Sequence, residues 1–149
     1  MILYIVLVSA AIFGIYWTIK IKKIFPAIIT GGMILGIILT MILSKSSQLF
    51  GIYIYMGFVT LSFIYCLVAK ELSTKSRIII AFMSAAIFFY WLWVLNHWHG
   101  NTLLLPIFTI LIGLAGIFSK EKLKNELGFL SILFADAIAI LIESWMKMN

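Results

Sequence analysis

Nine of the eleven basic residues, Lys20, Lys22, Lys23, Lys70, Lys75, Arg77, Lys120, Lys122 and Lys124, fall in three short breaks of an otherwise apolar chain. Only Lys45 and Lys147 fall in the alternate gaps. Crossing about 30 Å of hydrocarbon takes about 20 apolar residues, and backbone groups in lipid must pair within their own segment. The pattern therefore restricts the fold to an all-α polytopic membrane protein. Six apolar runs qualify as transmembrane helices, 2–19, 24–43, 49–69, 78–95, 102–118 and 127–146, and short turns join them into three antiparallel hairpins. Short loops rich in Lys and Arg stay on the cytoplasmic side. Both termini are accordingly expected outside, in a multi-pass protein of a bacterial inner membrane.

Composition excludes the main alternatives. Hydrophobic residues make up 64% of the 149, charged residues 11%, and the mean hydropathy is +1.19; a soluble domain is about half apolar and a quarter charged. The whole chain, 1–149, reads as a single transmembrane helical bundle. The net charge of +6 does not point to nucleic acid, because the basic residues flank apolar spans instead of forming a stripe. The lipid bilayer is the expected environment, and a membrane-protein partner or a second copy of the chain is the expected company. Met1 is followed by Ile2, Leu3 and Tyr4 with no basic residue before the first span, the reverse of a cleavable signal, so that span is expected to be retained. The single Cys66 excludes an intramolecular disulfide.

Aromatic residues cluster at the span ends, as interfacial belts require. Tyr16, Trp17 and Tyr65 fall at the basic side; Tyr4, Tyr53, Tyr55, Trp91, Trp93, Trp98 and Trp145 fall towards the other. Lys20, Lys70 and Lys120 recur at intervals of 50, but two bilayer-length spans with two turns produce that period without any duplication. Gly32 and Gly36 form a Gly-x-x-x-Gly pair, and Ala10 with Gly14, Ala81 with Ala85 and Ala135 with Ala139 are small-residue pairs of the same spacing. Such pairs let helix backbones approach closely. Here they are read as packing within the bundle, with an assembly seam as the alternative. Pro26 opens the second span, whereas Pro106 lies inside the fifth and is expected to kink it or to move its start.

Asp136 is the one ionisable residue deep in a span, flanked by Phe134, Ala135, Ala137 and Ile138. A charge at such depth costs about 3 kcal/mol on insertion scales, so the residue is neutral, paired or turned to a cavity, and marks a functional site by default. Glu143 follows seven residues on, about 10 Å along the same helix face. The two acids can form successive steps of a proton path; alternatively Glu143 pairs with Lys147 at i,i+4. The remaining polar cluster is the turn Asn96-His97-Trp98-His99-Gly100-Asn101. Two His at i and i+2 fall short of the three or four ligands a metal wants, and no metal or cofactor is expected. No His-Glu-x-x-His, Gly-x-Ser-x-Gly, Walker or Rossmann motif occurs, and no catalytic residue is assigned.

The stretch Leu92-Trp93-Val94-Leu95-Asn96-His97-Trp98-His99-Gly100-Asn101-Thr102-Leu103-Leu104 resembles the helix–turn–helix of small Bacteroidetes membrane proteins that carry a His-Trp-Pro-Gly turn, among them the membrane anchor of the gliding-motility and type 9 secretion motor. The stretch quoted is 13 of the 149 residues. It implies that His97, Trp98 and Gly100 form an external turn, with His99 where the family has Pro. Motor function is not implied, since the motor anchor has two spans and a long cytoplasmic tail. Gly128 to Asp136 also looks like the Gly-(x)7-Asp span of lysoplasmalogenase-like membrane hydrolases, with Ala135 where that family has Ser. The leading expectation is a small transport or proton-coupling element, or a subunit of a membrane complex, with Asp136 as its intramembrane polar site. The alternatives are an outer-leaflet lipid-modifying enzyme using His97, His99 and Glu143, and a structural assembly partner using the Gly32 and Gly36 face.

Overall fold

A computed structural model describes residues 2–44, 47–118 and 123–148; Lys45, Lys120, Lys122 and the side chain of Tyr4 lie outside the described residues. The described chain forms six helices: α1 Ile2–Ile21, α2 Ile24–Ile42, α3 Gln48–Val68, α4 Thr74–Leu95, α5 Leu104–Phe118 and α6 Leu127–Met148. Four of them carry stretches long and apolar enough to cross a membrane: Ile24–Ile42, Gln48–Val68, Thr74–Leu95 and Leu127–Lys147. The apolar stretches Ile5–Ile21 and Leu104–Phe118 are shorter. The helix starts differ from the hydropathy runs where local chemistry intervenes. Ser73 caps α4 by accepting the Ser76 amide at 3.1 Å, so that helix begins four residues before its apolar run. Pro106 moves the start of α5 instead of kinking it, and stands as its third residue, where a missing N–H costs no intrahelical bond.

The described residues of the three lysine-rich turns gather at one end of the bundle. Lys23, between α1 and α2, pairs with Glu71, between α3 and α4, at 2.9 Å. The Trp17 indole donates to the carbonyl of Lys124, between α5 and α6. At the opposite end, Gln48 and Glu143 border a common cavity.

α6 is the hub. It touches α1, α2, α4 and α5, and the first five helices follow one another around it, with α1 and α5 both closing back on α6. The closest seams are α2 with α3 and α1 with α6, not α1 with α2 as a simple hairpin would have it. Glycine placement accounts for this. A Cβ on Gly36 would lie 2.7 Å from the backbone nitrogen of Tyr55, and one on Gly51 2.5 Å from that of Thr40. Gly32 faces the Phe58 ring in the same seam. Gly14 and Gly128 perform the same service between α1 and α6. The Gly32 and Gly36 face is thus filled by α3 and is not open to a partner.

Polarity is arranged for lipid. Large apolar side chains such as Ile12, Ile42, Leu111 and Phe118 stand on the surface, while Thr30, Ser62, Ser84, Thr109, Glu126 and Asp136 are buried. Ser62 and Ser84 join α3 to α4 by a buried hydroxyl pair at 2.6 Å, the polar bridging that holds helices together where burial from water supplies no force.

Candidate functional site

Asp136 lies in the middle of α6, 5% exposed, and its carboxylate faces protein. The Tyr55 hydroxyl from α3 and the Trp91 indole N–H from α4 both donate to Oδ2 at 3.0 Å. Each bond to a charged oxygen is worth about 1.5–3 kcal/mol, so the pair offsets the insertion cost of about 3 kcal/mol. Neither donor takes Oδ1, which leaves that oxygen able to gain or lose a proton without breaking either bond.

Both donors correct the sequence expectation, which places Tyr55 and Trp91 in an interfacial belt. Tyr55 belongs instead to the buried face Gly51, Tyr55, Val59, Ser62, Cys66, whose spacing is helical and legible in principle. Trp91 turns inward because a buried indole N–H needs an acceptor. The belt assignment fits Tyr16, Tyr53, Trp98 and Trp145, which are exposed.

A cavity of about 230 Å³ runs from Asp136 to the end of the bundle opposite the lysine-rich turns. Its α6 wall is Asp136, Ala139, Ile140 and Glu143, an i, i+3, i+4, i+7 face. Thr40 from α2 and Gln48 and Tyr55 from α3 add polar groups to an otherwise apolar lining. Asp136 and Glu143 therefore lie on one helix face, as their spacing predicts, and both line this cavity. Glu143 also pairs with Lys147 at 2.7 Å at the mouth.

The turn between α4 and α5 stands apart. His97 and His99 are exposed, and neither lines this cavity. His97 adopts a left-handed conformation, φ 52°, and Gly100 has φ 143°, a value that suits glycine. The Trp93 indole donates to the Trp98 carbonyl at 2.9 Å, and the two rings meet edge to face. Asn96 and Asn101 bond backbone groups at the ends of the adjoining helices. Trp98 and Gly100 thus belong to a self-bonded surface turn. Among the described residues no three His, Cys, Asp or Glu side chains gather as metal ligands.

Glu126 is a residue that sequence reasoning misses, because it sits in a basic segment that looks solvated. It is 1% exposed. The Tyr65 hydroxyl of α3 donates to Oε1 at 3.1 Å, while Oε2 is buried and has no partner among the described residues. Burial raises its carboxyl above the ordinary range, and the Tyr65 hydrogen bond and the Lys23 charge only partly oppose that. Extending the buried α6 face back one turn from Leu130 and Phe129 is the signal that finds it.

In comparisons with known proteins, no protein-family model matches the chain, and neither a curated protein nor a solved structure matches it significantly.

Proposed function

We propose that the protein crosses a bacterial inner membrane six times with both termini outside, and that it is a small proton-coupling transport element or subunit of a membrane complex with Asp136 as its protonatable site. One observation carries the reading: a buried carboxylate with two donors on one oxygen stands at the base of a cavity that continues to Glu143 and Gln48. Intramembrane acids that face a cavity are the usual elements of proton relays. The basic residues at the opposite end supply the orientation, with the cavity mouth outside. A lipid-modifying role for His97, His99 and Glu143 has less support, since the His residues do not line the cavity that Glu143 borders.

The test uses the purified full chain in liposomes, with proton movement followed by an internal pH dye. Asp136→Asn keeps the side-chain shape and much of the hydrogen bonding, and reduces flux by about 100-fold or more. Tyr55→Phe removes one donor and lowers flux less. His97→Ala and His99→Ala leave it unchanged. Wild-type flux in Asp136→Asn, or no proton movement through the unsubstituted protein with or without a counter-ion, overturns the reading.

A further inference from the structure

The two buried carboxylates are placed alike. Asp136 receives a hydroxyl from Tyr55, and Glu126 receives one from Tyr65. The acids are ten residues apart in sequence and so are the tyrosines, with the order reversed between the antiparallel α3 and α6. The same register thus repeats after about 15 Å of helix. Each pair also has an opening beside it, lined by Asp136 itself in the one case and by Tyr65, but not Glu126, in the other. The cavity beside Asp136 leads to the end bearing Glu143, while a second groove, about 440 Å³, reaches Tyr65 from the lysine-rich end between Lys23 and Glu71. Between the pairs the α6 face is closed by Phe129 and Leu133, both fully buried, and the Phe129 ring lies edge-on against Tyr65.

We infer that Glu126 is a second proton-binding station, entered from the lysine-rich end through the Tyr65 groove, and that Glu126 and Asp136 are the two ends of one path interrupted by Phe129 and Leu133. This rests on the proton-coupling reading of Asp136 and extends it to the other face of the membrane. The unpartnered Oε2 is the atom that takes the proton. One proton moves: it leaves the carboxylic O–H of Asp136, which becomes a carboxylate, and is taken up by the Glu126 carboxylate, a transfer that needs water between them and so a displacement of the buried Phe129 and Leu133 side chains. Among the described residues, the side chains that act on Glu126 are Tyr65 from α3, Glu71 from the following turn and Lys23 before α2. Lys23 is engaged by Glu71, no partner for Oε2 stands among the described residues, and protonation is one way for a carboxylate to lose its charge in a buried site.

Two measurements on the full chain in liposomes decide this. The first needs no variant. A hydrophobic carbodiimide, which couples to protonated carboxyls in apolar surroundings, is expected to modify both Asp136 and Glu126, with the Glu126 adduct falling as pH rises; peptide mass mapping reads both. Modification of Asp136 alone overturns the inference. The second is flux. Glu126→Gln reduces it by about 100-fold or more, and Glu126→Asp, which keeps the carboxyl, recovers a measurable part. Wild-type flux in Glu126→Gln together with loss in Asp136→Asn removes the second station and leaves the Asp136 reading standing. Wild-type flux in both variants removes both. If Glu126→Gln fails to fold, the labelling of the unsubstituted chain decides alone.

Discussion

A carboxylate with one oxygen bonded and the other buried without a partner binds its proton more tightly folded than unfolded, and among the described residues Glu126 is in that position. In the pH range between the ordinary Glu value and the raised folded value, the folded state holds more protons than the unfolded one, so stability falls as pH rises through that range. Glu126→Gln is expected to flatten this part of the profile of melting temperature against pH in detergent. A variant whose profile has the same slope as the unsubstituted protein would show that Glu126 does not titrate differently on folding. Asp136 differs in having two donors on one oxygen. Its two donors come from different helices, α3 and α4, so the site exists only when α3, α4 and α6 have assembled.

At the scale of elements, the α2–α3 seam is set by glycine, and its tolerance is measurable. A Cβ at Gly36 would meet backbone atoms of Tyr55, which cannot swing aside as a side-chain tip can. Gly36→Ala is expected to destabilise by about 1–3 kcal/mol, and to disturb Tyr55 and through it the hold on Asp136. Gly57 on α3 is the control, since nothing lies within 4 Å of a Cβ there. Gly57→Ala should leave stability unchanged or raise it by up to about 1 kcal/mol through helix propensity. Unfolding midpoints of both variants in one detergent test the seam, and equal effects would sink it. The α1–α6 seam follows the same logic, with Gly14 against the Gly128 carbonyl and Thr30.

For the molecule as a whole, a bundle with exposed Ile, Leu and Phe and a few buried polar groups has two ends that differ in charge. Lys23, Lys70 and Lys124 stand in turns at one end, and Glu143 and Lys147 at the other. On the proposal that the basic end is cytoplasmic, a cysteine introduced at Ser47 is expected to react with an impermeant maleimide added to intact cells, and one at Thr74 only after the membrane is opened. Cys66 is buried and gives little background. Reaction at position 74 from outside, with position 47 protected, would invert the protein and exchange the two entrances of the proposed path.

Sequence is informative about this chain where the controlling property is itself one-dimensional. Length of apolar run, charge in the breaks and the lone deep Asp136 are properties of a segment and its environment, and the six helices follow them within a few residues at most ends. The orientation around each helix axis is not legible in the same way. In lipid both the outer and the inner face of a helix are apolar, so hydropathy carries little angular signal. Tyr55 and Trp91 consequently look interfacial, although each turns its polar atom onto Asp136. Glu126 looks solvated because its sequence neighbours are charged, whereas its burial is decided by Tyr65 on a helix about sixty residues away. The spacing of Asp136 and Glu143 reveals that they share a face, because helix periodicity is local; that this face borders a cavity, and that the face of Gly32 and Gly36 is filled by α3, depends on which helices become neighbours. The sequence by itself determined the environment, the elements and the one costly charge, since each follows from local transfer energies. The tertiary structure alone decided which polar atoms meet, since that depends on the rotation and pairing of helices.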